Sequence, residues 1–353
     1  LRSAISTRRQ KLITHLLVQC VIVSCLYHYA AAAGVDSTAD FTKFDDRPLE
    51  QDLVLPDWFK LSFLELQADL ADAKAAGKWG VLLYFGSKDC PYCSIHLQKN
   101  WGDRGIVTYT RNHFDVVAID VKGDRAVTDH NGVAYASEKD FAAKLRTNFT
   151  PSFLFVDVHG NVPLRLTGYH PPYQFRAVLE FIADNHYLYE PLRAYMARGE
   201  TVSGLEESEL NDNDIFRAPP YVLSRQKNPA KTPLAVIFEQ PTCHSCDVLH
   251  AGPLKHKEIA GKFKQMAVVQ LDRKANTPVV TPEGKKLTAQ QWSDELGLYY
   301  SPTIIFFDER GKEILRVDSV IGFYRLNSVL DYILSKAYLE YETFQLWRFK
   351  NRR

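Results

Sequence analysis

Two Cys-x-x-Cys pairs, each followed at nearly the same distance by a hydroxyl residue and a proline, constrain this chain more than any other feature. Cys90-Pro91-Tyr92-Cys93 leads to Thr150-Pro151, and Cys243-His244-Ser245-Cys246 leads to Ser301-Pro302. Pro151 stands 61 residues after Cys90, and Pro302 stands 59 after Cys243. One unit therefore occurs twice, and a duplication at this period makes two domains rather than a solenoid.

Composition agrees with two globular units. A chain of 353 residues with 46% hydrophobic content can build two cores of ordinary size. Its 43 Lys and Arg nearly cancel its 42 Asp and Glu, so no global charge draws it to nucleic acid, and no nucleic-acid partner is expected.

Residues 1–33 have the pattern of an export signal: Arg2, Arg8, Arg9 and Lys11, an apolar run from Leu12 to Leu26, then Ala30 to Ala33 before Gly34. A cleaved signal is the first reading, and an uncleaved anchor is a minor one. Ile22-Val23-Ser24-Cys25 also fits a lipoprotein box, which would lipidate Cys25 and tether the protein to a membrane. Of six cysteines, Cys20 and Cys25 fall in this segment. Cleavage leaves only the two Cys-x-x-Cys pairs, an economy suited to an oxidising compartment, where a spare thiol mispairs.

Residues 34–56 read as a polar linker, 57–198 as the first domain, 199–216 as a second linker, 217–345 as the second domain and 346–353 as a basic tail. Ser62-x-x-Glu65 looks like a capping box for a helix with Phe63, Leu66, Leu70 and Ala73 on one face. Val81 to Phe85 is a continuous apolar run, as expected of a strand buried on both faces, and the first cysteine pair follows it. His113 to Val121 reads as a strand, Ser137 as the cap of a short helix, and Phe153 to Leu166 as a hairpin turning at His159-Gly160. Pro171-Pro172 opens a helix whose inner face carries Phe175, Val178, Leu179 and Ile182. The second unit repeats this order from Leu234 onward, without a clear counterpart of the helix near 62–76.

A Cys-x-x-Cys on the first turn of a helix has a defined chemistry. Free backbone N–H groups and the positive helix end stabilise a thiolate at the first cysteine. That thiolate attacks a partner disulfide, and the second cysteine, one turn on, resolves the mixed disulfide. Cys90 and Cys243 are thus the candidate nucleophiles, Cys93 and Cys246 the resolving thiols. Zinc is the competing reading, but zinc knuckles sit on tight turns rather than between a buried strand and a helix. Haem attachment fails because Ser94 and Asp247, not His, follow the second cysteines. Neither a metal nor a cofactor is expected.

Thr150-Pro151 and Ser301-Pro302 read as cis peptides whose backbone faces the sulfur and pairs with an extended substrate. The alternative is a trans proline at a strand edge. His244 is a candidate for tuning Cys243 or a solvated turn residue, and His96 and His250 read as packing or helix-surface residues. The tail, with Arg348, Lys350, Arg352 and Arg353 beside Trp347 and Phe349, reads as a solvated helix end.

These residues resemble the SoxW-like thioredoxin-fold proteins of the bacterial periplasm, and more distantly the catalytic domains of DsbC and DsbG. The resemblance is carried by Leu82-Leu83-Tyr84-Phe85 before Cys90-Pro91-Tyr92-Cys93, by Thr150-Pro151-Ser152-Phe153-Leu154-Phe155, and by Val236-Ile237-Phe238-Glu239-Gln240 before Cys243. It covers roughly residues 57–190 and 217–340. It implies an α/β chain of two tandem thioredoxin-fold domains, each a central mixed sheet flanked by helices. It further implies a periplasmic thiol-disulfide oxidoreductase, with protein disulfides as substrates and a DsbD-like inner-membrane thiol transporter as electron donor. Reductase ranks above isomerase or oxidase, and a chaperone or substrate-binding protein with one active dithiol is the rival. Thioredoxin keeps a buried acid six residues before its nucleophile; Tyr84 and Ile237 stand there instead. Glu239, four residues before Cys243, is a candidate substitute in the second unit only.

Overall fold

The computed structural model describes residues 44–200 and 209–351. The expected export segment, Cys20 and Cys25 included, lies outside them, as do 201–208 within the second expected linker and Arg352 and Arg353 of the tail.

The first unit runs through α1 (Leu66–Ala75), β1 (Gly80–Gly86), α2 (Pro91–Ile95), a π-helical turn (His96–Asn100), α3 (Arg104–His113) and β2 (Phe114–Asp120). It continues with the short pair β3 (Val127–Thr128) and β4 (Ala134–Tyr135), then α4 (Glu138–Lys144), β5 (Ser152–Asp157), β6 (Leu164–Thr167), α5 (Pro172–Ala183) and α6 (Leu192–Glu200). The second unit comprises β7 (Tyr221–Val222), β8 (Leu234–Glu239), α7 (His244–Ala251), α8 (Lys257–Phe263) and β9 (Ala267–Asp272). After these come β10 (Pro278–Val280), β11 (Lys286–Thr288), α9 (Ala289–Glu295), β12 (Thr303–Phe307), β13 (Glu313–Val317), α10 (Phe323–Leu334) and α11 (Phe344–Lys350).

Both sheets have the same topology: β2-β1-β5-β6 in the first and β9-β8-β12-β13 in the second. In each, the strand before the cysteines pairs in parallel with the next long strand and antiparallel with the strand after the proline. β1 and β8 are buried along their whole length, which explains their unbroken apolar sequence. Helices on both faces complete an α/β layer structure. Ser137 caps α4 by accepting from Asp140 N, and Thr288 and Gln291 form a reciprocal capping box on α9. Among the described residues the second unit has no counterpart of α1, and β7, β10 and β11 form a small separate sheet.

Three expectations are corrected. The Ser62 capping box does not form: Glu65 is the cap residue, without a side-chain bond, and Ser62 Oγ instead accepts from Leu64 N and donates to Asp69. Leu64, at positive φ, turns inward in place of Phe63, which is 97% exposed. Residues 44–56, expected as a linker, run along the loop before Cys90, with Leu49 N on Asp89 O at 3.0 Å and Leu53 N on Lys88 O at 2.7 Å. The tail is only partly a solvated end: Lys350 and Asn351 are exposed, but Trp347 packs against the second core and Phe349 against the first unit's core, with Lys122 Nζ 5.0 Å from the Phe349 ring.

The two units interlock through matching elements. Phe149, just before Thr150-Pro151, is buried in the second unit's core, while Tyr300, just before Ser301-Pro302, is buried in the first unit's core. The loops after β6 and β13 also meet, with Val320 N donating to Tyr169 O at 3.2 Å.

Candidate active site

Each cysteine pair sits where β1 or β8 ends and α2 or α7 begins. Cys90 is the cap residue of α2, and its sulfur accepts from Cys93 N at 3.0 Å; Cys243 caps α7 likewise, accepting from Cys246 N at 3.1 Å. A cap residue lies outside the helix while its side chain faces the free N–H groups of the first turn. The positive helix end therefore falls on the cysteine expected to be the nucleophile. Both pairs are disulfide-bonded, with Cα atoms 5.2 Å apart.

Thr150-Pro151 and Ser301-Pro302 are cis, as expected, and both lie against the sulfurs. Thr150 Oγ1 donates to Cys90 Sγ at 3.2 Å, and the Ser301 carbonyl oxygen lies 3.6 Å from Cys243 Sγ. A third cis bond, Pro219-Pro220, lies away from these motifs in the sequence. All eight expected cysteine, hydroxyl and proline residues thus form two like constellations. Among the described residues no group of three or more His, Cys, Asp or Glu is arranged to hold a metal ion.

Behind the sulfurs the two sites differ. Glu239, at the end of β8, is fully buried and bonded to His250 Nε2 at 3.0 Å and to Gln270 Nε2 at 2.6 Å. His250, one turn beyond the second pair on α7, is therefore part of a buried polar network rather than a surface residue. The sequence showed both groups but not their meeting, since a strand end and a helix second turn come together only in the fold. Gly86 occupies the corresponding strand end in the first unit, so no such acid stands there. Tyr84 is buried beneath the first pair, and burial drives its hydroxyl far above its ordinary pKa.

His96 begins the π-helical turn that carries the chain out of α2, a distortion frequent near functional sites. The turn brings His96 and Asn100 into the core, where the imidazole lies among Trp101, Phe153 and Phe175 at centroid distances of 4.4, 4.8 and 4.6 Å. Burial holds it well below the ordinary histidine pKa, hence neutral. His244, in contrast, is exposed and follows Cys243 in the chain.

The surroundings of the two pairs are unequal. Cys90 is 4% exposed and Tyr92 1%, whereas Cys243 is 9% exposed and flanked by the exposed Thr242 and His244. Tyr92 is enclosed from two directions. Its hydroxyl donates to Asp46 at 2.7 Å and accepts from Gly322 N at 2.6 Å, and the Arg325 guanidinium stacks 3.4 Å from its ring centre. Asp46 also accepts from Tyr324 N and Arg325 N, capping α10 from a remote part of the chain.

A thioredoxin-like domain family matches the chain twice, over residues 66–183 and 222–334. No curated protein matches it. Among solved structures, a thioredoxin-fold protein from Helicobacter pylori is similar at 27% identity, covering 42% of this chain and 94% of its own, with a TM-score of 0.33. A thioredoxin from Thermus thermophilus is similar at 27% identity over 33% of this chain and 82% of its own, TM-score 0.27. The reduced C-terminal domain of DsbD from Neisseria meningitidis is similar at 16% identity over 30% and 84%, TM-score 0.23. With the domain matched in both repeats, the chain belongs to the thioredoxin-like domain family.

Proposed function

We propose that this protein is an exported thiol-disulfide oxidoreductase that reduces protein disulfides with two dithiols. The observation that carries the reading is the placement of Cys90 and Cys243 at helix N-termini, each against the cis peptide of its own unit. In the reduced protein the first cysteine, as thiolate, attacks one sulfur of a substrate disulfide; a new S–S bond forms and the other substrate sulfur leaves as thiolate. The second cysteine then attacks the first, closing the intramolecular disulfide and releasing the reduced substrate. Cys93 and Cys246 are the resolving thiols. The backbones at Thr150-Pro151 and Ser301-Pro302 supply the strand-like edge for an extended substrate.

Glu239, through His250, handles the proton of the second dithiol, and His244 favours its thiolate when protonated. Within the family we place the chain with SoxW-like proteins, in the periplasm, fed by a DsbD-like thiol transporter. The export pattern of residues 1–33 supports the compartment, and membrane attachment through Cys25 is the variant of that reading.

Titrating each dithiol separately in glutathione buffers tests the proposal. A potential of about −270 mV supports a reductase and about −120 mV an oxidase, and no dithiol oxidation anywhere in that range overturns the reading. The near-complete burial of Cys90 favours a second reading, a substrate-binding protein with one active dithiol. That version predicts that replacing Cys90 and Cys93 by Ser leaves turnover intact.

A further inference from the structure

The Thr150 carbonyl, the acceptor that an extended chain beside Cys90 would use, already has a donor. Arg325 Nη2, from the second unit, donates to it at 2.8 Å. The same guanidinium lies 3.4 Å from the centre of the Tyr92 ring and 5.4 Å from that of Phe149. Arg325 is 3% exposed, and burial lowers its pKa to about 10, still well above neutrality, so it stays charged. It is held on α10, whose first turn is fixed by Asp46, and Asp46 in turn holds the Tyr92 hydroxyl. Asp46, Tyr92, Arg325 and Thr150 thus form one connected clasp from four parts of the chain. It closes over the first dithiol, while exposed residues flank the second.

Resting on the proposed activity, we infer that Arg325 is the specificity-determining residue of the first dithiol: it occupies the backbone position of an extended polypeptide and so excludes polypeptide disulfides from Cys90, leaving Cys243 as their point of entry. A small disulfide needs no backbone pairing and is discriminated against far less. Breaking the clasp gives Cys90 the substrate range of Cys243.

The test compares mixed-disulfide formation in full-length Cys93→Ser and Cys246→Ser proteins, with oxidised glutathione and with insulin as the polypeptide disulfide. The ratio of the two rates cancels differences in thiol reactivity. The ratio of insulin to glutathione is expected to be at least tenfold lower at Cys90 than at Cys243. Adding Arg325→Met raises it at Cys90 at least tenfold and changes it at Cys243 by less than twofold. Asp46→Asn, which loosens the clasp but keeps the guanidinium, gives a smaller rise in the same direction and serves if Arg325→Met fails to fold. Equal ratios at the two cysteines, or a Cys90 ratio unmoved in the folded variants, overturn the inference while leaving the proposed activity standing. Failure of both cysteines to exchange even with glutathione overturns the activity itself.

Discussion

Phe149 and Tyr300 hold the same place in their repeats, immediately before the hydroxyl-proline step, and each is buried in the core of the other unit. Phe149 lies 5.4 Å from Phe344, and Tyr300 meets His170 edge-on at 5.2 Å. The exchange explains why neither dithiol stands fully open. The residue that leads into each cis peptide is an anchor of the junction, so the junction forms beside the sulfurs.

Phe149→Ala is expected to destabilise the protein by about 3–5 kcal/mol, the usual cost of emptying a buried aromatic site. Because the lost contacts belong to the junction, the second unit is expected to unfold at lower urea than the first, splitting the transition. Urea unfolding followed separately by near-UV absorption and far-UV circular dichroism checks this. Coincident curves with an unchanged midpoint would show that Phe149 anchors nothing.

Much of this architecture was legible in the sequence because it depends on short-range signals. The apolar runs Val81 to Phe85 and Leu234 to Phe238 became the central strands, and the turn at His159-Gly160 places its glycine at positive φ. The cysteine caps and the cis prolines followed from spacing. What the sequence did not disclose is whatever depends on two distant segments meeting. Asp46 lies in a stretch that reads only as a polar linker, Arg325 carries no motif of its own, and Phe349 belongs to a tail that reads as a solvated helix end. Each owes its role to a partner far away in the chain, Asp46 to residues 324 and 325 most of all. Ser62 failed for the opposite reason: a good local motif was overridden when Leu64 took the buried position.

Glu239 and His250 form a buried bonded pair in the second unit, and Gly86 stands in the place of Glu239 in the first; the proposed function makes this pair the proton handler of the second dithiol. Glu239→Gln keeps the shape but replaces one of the two acceptor oxygens by a donor, so it cannot act as an acid or base. It is expected to slow thiol exchange at Cys246 by about 100-fold, the low end of general acid-base contributions, and to leave the first dithiol unaltered. A merely structural role would lower stability without changing the pH profile of the second dithiol's oxidation. Stopped-flow oxidation of each dithiol between pH 6 and 9 distinguishes the two.

His170 is buried, and burial lowers its pKa to about 4 against an ordinary 6.5. His96 is shifted the same way. Between pH 6.5 and 4 the unfolded chain takes up the His170 proton and the folded one does not. Stability is therefore lost as pH falls through that window, by up to roughly 1.4 kcal/mol per pH unit from His170, and His96 acts in the same direction. Asp318 opposes them: burial raises its pKa to about 6, so its contribution is full below 3.8 and is lost as pH rises toward 6. His170→Gln is expected to flatten the dependence, read as urea midpoints at pH 7, 6 and 5; an unchanged slope would mean that His170 does not titrate in this way.

Gly168 tests how closely the two loops at the junction must approach. Its φ of +82° is one that side chains rarely adopt, and a Cβ there would lie 2.0 Å from Ser319 Oγ, in the second unit. Gly168→Ala therefore meets two separable penalties: about 1 kcal/mol for the backbone conformation and roughly 1–3 kcal/mol for the clash. Removing the obstructing side chain with Ser319→Gly relieves only the second. The double variant is expected to be more stable than Gly168→Ala alone by roughly 1–3 kcal/mol, although Ser319→Gly by itself stabilises nothing. A coupling energy of that size, measured by urea unfolding of the full double-mutant cycle, places the two loops in contact in solution. Strict additivity would mean that they stand apart there, and the enclosure of Cys90 would then need another cause.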